Sequence, residues 1–155
     1  MFKATSLNPY HLSVGIVLID SEEKIVCHYW KEKNDYKYFY SLIHETVEED
    51  ESLEEAISRG LDEELGAVYE NLIYIGSRVS SDVWKFDHKP VEVEKTVVYF
   101  KANLVSYNLD QKSEDWESDS EVLHVEKQTL IQKFEKQYAK FHLERFNEAE
   151  ILKRI

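Results

Sequence analysis

The apolar positions of this chain follow two rhythms, and the change from one to the other marks out its elements. Leu12–Asp20 (LSVGIVLID) is a nearly unbroken apolar run rich in β-branched residues, which predicts a buried strand; Gly15 within it predicts a close backbone approach. Asp20-Ser21-Glu22-Glu23 has the composition of a turn, and Lys24–Trp30 returns as the second strand of a hairpin. A charged loop is expected over Lys31–Asp35, then a third strand over the aromatic-rich stretch Tyr36–Ile43.

At residues 51–67 (ESLEEAISRGLDEELGA) the period becomes helical. At about 100° per residue with Leu53 at zero, Ala56, Ile57, Leu61 and Leu65 fall on one stripe from roughly −60° to 120°. Ser52 and Glu55 have capping-box spacing, and Gly66 closes the helix at its C-terminus. Beyond it, Glu70–Val79 reads as a strand with a bulge at Gly76. Residues 80–90 read as a loop or strand edge, and Val93–Val105, the longest β-favouring run, as a central strand. Ser106–Ser120 is acidic and polar, as a surface loop would be. A short strand over Glu121–Glu126 and helical stretches over 130–141 and 144–155 complete the pattern, the last with apolar Phe146, Ala149, Ile151 and Leu152. This order predicts one α+β domain over residues 1–155, a mixed β-sheet with helices packed on it.

Composition narrows the function classes. With 43% hydrophobic and 13% aromatic residues, disorder is not a serious reading. A formal net charge of −12 argues against general nucleic-acid binding, and suits a phosphate-rich ligand only if a metal supplies positive charge. The single cysteine, Cys27, has no partner for an internal disulfide and is expected to be a buried thiol. The apolar run Val14–Ile19 is far too short to span a membrane, so a cytoplasmic protein is the expectation.

Two carboxylates stand out against the helical stripe. Glu64 falls at about 20°, inside it, and Glu63 at about −80°, on its edge. Burying an ionised carboxylate without a partner costs several kcal/mol. The nearest basic residue, Arg59, is spaced for i,i+4 pairs with Glu55 and Glu63, worth only a few tenths of a kcal/mol each. A divalent metal, Mg²⁺ or Mn²⁺, held by Glu63 and Glu64 is the economical explanation. Glu45, Glu48 and Glu49, in the segment entering the helix, are candidates for one further oxygen ligand. Gly60, at about −20°, lies in the middle of the inward face, where glycine costs about 1 kcal/mol against alanine.

The same residues resemble the Nudix hydrolase family. Its box reads Gly, five residues, Glu, seven residues, Arg-Glu, an apolar residue, any residue, Glu-Glu, any residue, Gly, apolar. Glu51, Arg59, Leu61, Glu63, Glu64, Gly66 and Ala67 match it at the required spacing. Two positions depart: the opening glycine is Glu45, and the glutamate after the arginine is Gly60. The resemblance implies a mixed sheet sandwiched between helices and metal-dependent hydrolysis of a phosphoanhydride in a nucleoside-diphosphate-linked small molecule. In layout the chain is most similar to the dinucleoside polyphosphate branch. Arg59 is then the residue that orients the glutamates and Glu64 a catalytic carboxylate. Glu117 or Glu121 is the candidate to replace the acid missing at 60. Trp84 and Tyr40 are candidates to stack on a base, His44 to face the phosphates, and Lys85, Lys89 and Lys95 to offset their charge. A second reading stays open: Gly60 and Glu45 also suit a Nudix-fold module that binds a nucleotide or protein with little turnover.

Overall fold

A computed structural model of the chain describes residues 3–33, 35–111 and 120–155, with Gln111 described in its backbone alone. Its sheet is organised around β1 (Tyr10–Ile19). Along one edge β1 runs parallel to β6 (Lys89–Ser106) over its whole length. The other edge is shared by two antiparallel strands: β4 (Ile43–Thr46) along Ser13–Ile16, and β2 (Ile25–Lys33) at Leu18 and Ile19. Strands β3 (Tyr36–Ser41) and β7 (Ser120–Val125) pair with β2, and β5 (Val68–Phe86) with β6, giving a seven-stranded mixed sheet among the described residues.

Helix α1 (Leu53–Leu65) covers one face, and α2 (Lys127–Phe141) with the short α3 (Ala149–Leu152) covers the other. Val14, Ile16 and Leu18 of β1 pack on Ala56, Ile57, Leu61 and Leu65. Val17 packs on Leu130, Phe134 and Ile151. A strand buried on both sides needs apolar side chains on both, which is why its sequence runs apolar without alternation. Each fully buried Leu or Ile contributes about 1.5–3 kcal/mol, so Ile57, Leu61 and Leu65 hold α1 in place far more than its intrinsic propensity does.

The ends of α1 form as expected. Ser52 Oγ accepts the Glu55 amide at 3.1 Å, the Glu55 carboxylate accepts the Ser52 amide at 2.7 Å, and Gly66 is left-handed at φ 55°. Gly15 also behaves as expected. A Cβ there would lie 2.5 Å from two ring carbons of Tyr99, so the glycine lets that ring cross β1. Gly15→Ala should therefore lose about 1–3 kcal/mol by overpacking, read as a lower urea midpoint at unchanged m-value. Cys27 is a buried thiol, and burial pushes its pKa up to about 12.

Several expectations are corrected. Lys31–Lys33 extends β2 instead of forming a loop. The third predicted strand is two: Tyr36–Ser41 pairs with β2, then the chain crosses at Leu42 so that Ile43–Thr46 pairs with β1. Of the two readings of residues 80–90, the strand edge holds and the loop does not: they form the tip of a long β5–β6 hairpin with β5 at the sheet edge, turned at Asp87 and His88, both left-handed at φ 49° and 64°. The last predicted helix breaks into a 3₁₀ turn, Glu144–Phe146, and α3. Of the acidic stretch, residues 112–119 lie outside the described residues. No described helix is long and apolar enough to cross a membrane.

Candidate active site

Strand β4 sets up the site because its neighbouring residues face opposite ways. Glu45 pairs with Val14, whose side chain packs in the α1 cluster; His44 pairs with Gly15 and faces the other side. Where β2 and β4 part along the edge of β1, a cavity of about 390 Å³ opens, lined by residues of both strands, α1, β6 and the C-terminal segment.

On the α1 side the cavity is walled by Glu64. His28 Nε2 donates to its carboxylate at 2.8 Å, and the two side chains are 4% and 16% exposed, so the carboxylate is held in a fixed direction. On the opposite side lies Glu148, only 3% exposed. Its carboxylate accepts the Leu42 amide at 3.0 Å, the Tyr99 hydroxyl at 3.0 Å and a short bond from His44 Nε2. Burial alone would raise this carboxyl, but His44, the amide and the hydroxyl outweigh burial and hold it below the ordinary carboxylate range. Burial, with the Glu148 charge, drives the Tyr99 hydroxyl well above its ordinary pKa, so it stays protonated and donates.

Basic groups line the rest. Arg78 pairs with Glu144 at 2.8 Å and donates to the Asn147 carbonyl. Arg145 pairs with Asp82 at 3.1 Å and lies 4.4 Å over the Tyr36 ring. Lys95 has no ion pair among the described residues, and burial depresses its ammonium below the ordinary lysine range. The cavity carboxylates are each engaged by another partner, Glu64 by His28, Glu144 by Arg78 and Glu148 by His44. Lys95 can therefore meet an incoming anion at the cavity wall. Trp30, Phe39, Tyr40 and Phe146 supply aromatic surface.

Behind the cavity, Arg59 ties the entry segment to α1. Its guanidinium grips Glu51 with two bonds at 2.8 and 3.0 Å, donates to the Thr46 carbonyl at 2.8 Å, and lies 3.3 Å from Glu45 and 3.6 Å from Glu63. Such forked charged bonds fix geometry as well as energy. The expected Arg59–Glu55 bridge is corrected, because the capping box takes the Glu55 carboxylate. Glu63 is 51% exposed. Burial raises the Glu45 carboxyl, Arg59 opposes it, and the charge of Glu64 raises it further.

Glu45, Glu63 and Glu64 offer hard oxygen donors of the kind Mg²⁺ and Mn²⁺ prefer, and a carboxylate oriented by a histidine, as Glu64 is, has the support typical of a ligand. Among the described residues, however, no three His, Cys, Asp or Glu side chains converge as a formed metal site. The donor types, taken singly, are those a divalent ion prefers.

Of the residues singled out from sequence, Glu64, Tyr40, His44 and Lys95 meet at the cavity, with Arg59 and Glu63 beside it on α1. Glu121 does not join them: it is exposed on β7 opposite Tyr29. Glu117 lies outside the described residues. Trp84 is also elsewhere, on β5, meeting His11 edge-on at 5.0 Å. His28, Arg78, Tyr99, Arg145 and Glu148 went unforeseen. Only Glu148 carried a signal, an acid set among the buried residues Phe146, Ala149, Ile151 and Leu152.

The His11 beside Trp84 gives a pH test. It is buried, accepts the Ala4 amide through Nδ1 at 3.3 Å, and is lowered to about 4, chiefly by burial and then by Lys95 and Lys3. The unfolded chain regains a pKa of about 6.5 and binds the proton more readily, so stability falls as pH drops from about 7 towards 4. Urea unfolding across that window should show a shallower pH slope in His11→Gln than in the native chain.

Comparison with known proteins bears on the fold and the family. A NUDIX domain model matches residues 9–144. Among solved structures, the chain is similar to a MutT protein from Methanosarcina mazei Go1, with 18% identity, 94% of this chain and 92% of that one covered, and a TM-score of 0.54. A NUDIX hydrolase from Nitrosomonas europaea gives 15% identity, coverage of 92% and 89%, and a TM-score of 0.58. A mMutator MutT protein from Bacillus halodurans gives 16% identity, coverage of 79% and 72%, and a TM-score of 0.53. No curated protein matches. The matched span takes in β1, β4, the box helix and most of the cavity wall, and the chain belongs to the Nudix family.

Proposed function

We propose that this protein hydrolyses a phosphoanhydride bond in a small molecule built on a nucleoside diphosphate, with Mg²⁺ or Mn²⁺ bound by Glu63 and Glu64. One observation carries the reading: Glu64, on the box helix and fixed by His28, walls a cavity that also presents Lys95, Arg78, Arg145 and an aromatic lining. When bound, the metal supplies positive charge to the phosphates and acidity to water. The chain's own groups do the rest. Lys95 offers its ammonium to a phosphate oxygen, and Tyr40, half-buried beside the buried Trp30, Phe39 and Phe146, offers the aromatic wall against which a base packs. Glu64, held in one orientation, accepts a proton or a cation at a defined point.

A second reading, binding without turnover, is favoured by the lack of three converging ligands among the described residues. The test is product release from a panel of nucleoside diphosphate derivatives, dinucleoside polyphosphates included, with and without Mg²⁺ or Mn²⁺. The hydrolase reading expects metal-dependent turnover that a chelator abolishes, and a KM raised about tenfold in Lys95→Ala, the scale of one hydrogen bond to a charged group. No turnover on any compound, with calorimetric binding intact, would establish the second reading.

A further inference from the structure

Helix α2 lays three lysines beside three tyrosines. Lys133, Lys136 and Lys140, about one turn apart and so on one face, line a groove of about 270 Å³ with Tyr29 of β2 and Tyr38 and Tyr40 of β3. Gln137, only 7% exposed, ties the two sides together: its side-chain carbonyl accepts the Tyr40 amide at 2.6 Å, and its side-chain amide donates to the Tyr40 carbonyl at 2.9 Å. The Tyr29 and Tyr40 rings meet with centres 4.9 Å apart, and Lys133 Nζ lies 5.6 Å from the centre of the Tyr40 ring. Tyr38 is 65% exposed and left-handed at φ 55°, and the register of β3 on β2 passes from Phe39 to Lys37 without it. A bulky residue keeps that conformation only where its surroundings impose it, and such strain gathers at binding sites.

The charges of this groove are unbalanced. Lysines three and four residues apart repel one another along a helix, and among the described residues no carboxylate pairs with Lys133, Lys136 or Lys140, although the chain holds 31 acids against 19 lysines and arginines. An anion set along the three ammonium groups, which span about 10 Å of helix, relieves that repulsion. The tyrosines beside them take an aromatic ring, and the groove is too small for a run of them. We propose that this groove is a second ligand site, separate from the hydrolytic cavity, that binds a free nucleoside triphosphate, the lysines meeting its phosphates and the tyrosines its base. Of its lining, only Tyr40 is shared with the cavity.

The test is an amide NMR titration of the full chain with ATP in the presence of EDTA, which keeps metal-dependent turnover off. The amides of residues 36–40 and 133–141 should shift together with one Kd. The triple variant Lys133→Ala/Lys136→Ala/Lys140→Ala should weaken that Kd about tenfold or more, with the rest of the spectrum unchanged because all three side chains are exposed. Tyr38→Ala should weaken it about tenfold, the scale of one lost stacking face. Inorganic triphosphate, which has the charge without the ring, should bind more weakly than ATP and be indifferent to Tyr38→Ala. Shifts confined to the amides around His28, Glu64 and Lys95, or a triple variant that titrates like the native chain, overturn the groove site and leave the hydrolase reading standing. Triphosphate binding as tightly as ATP, or an oligothymidylate displacing ATP at lower concentration, overturns the free nucleotide as its occupant. These shifts are read without turnover, so a chain that hydrolyses nothing would still show them.

Discussion

Glu148→Ala should cost about 3–5 kcal/mol of folding stability, the scale expected when one partner of a buried charged pair is removed. Glu148 is where the C-terminal segment locks onto the sheet. Its one carboxylate receives the Leu42 amide at the crossing from β3 to β4, His44 from β4 and the Tyr99 hydroxyl from β6. Truncation leaves all three groups short of a partner in a dry place, and opens a hole beside Ala149, Ile151 and Leu152. The pH behaviour has a definite sign. The carboxyl is held below its ordinary range in the fold, so its contribution is present above the unfolded carboxylate range and is lost as pH falls through the folded value. Urea denaturation of native and Glu148→Ala chains at pH 7 and at progressively lower pH should show the gap between them closing in acid. A gap that is small at pH 7, or one that widens in acid, would contradict the paired, ionised carboxylate.

The second large effect is on activity. Glu64→Gln should lower kcat by about two to four orders of magnitude, the range for loss of a positioned acid or base. The substitution is nearly isosteric, and the amide oxygen can still accept from His28, so the fold and the cavity should survive. What disappears is the negative charge at the wall, and with it cation binding and proton acceptance. An unchanged thermal midpoint beside the lost turnover would separate chemistry from folding.

Much of the frame was legible from residue pattern, for physical reasons that can be named. The period of α1, its Ser52–Glu55 box and its Gly66 cap are local features, and each appears as expected. Glu64 was found because an acid inside an apolar stripe demands a partner, although the partner, His28, comes from a strand 36 residues earlier. Long-range features were not legible. The crossing at Leu42 depends on which strand claims each half of Tyr36–Thr46, and no local signal encodes that choice. The β5–β6 tip hid because left-handed Asp87 and His88 make the turn without glycine. Arg78, Arg145 and Glu148 look like ordinary charged residues in sequence and become site residues only when the C-terminal segment folds back over β5. Gly60 and Glu45 read as two separate departures until the structure placed them in contact.

The most direct measurement follows turnover and binding on the same preparations of the native and Glu64→Gln chains, with a nucleoside diphosphate derivative and Mg²⁺ or Mn²⁺. A hydrolase working at this cavity gives metal-dependent release of mononucleotide or phosphate from the native chain. It gives almost none from Glu64→Gln, which still binds the nucleotide. Equal turnover in the two chains would place the chemistry elsewhere, and binding with no turnover in either would make the cavity a receptor for its ligand.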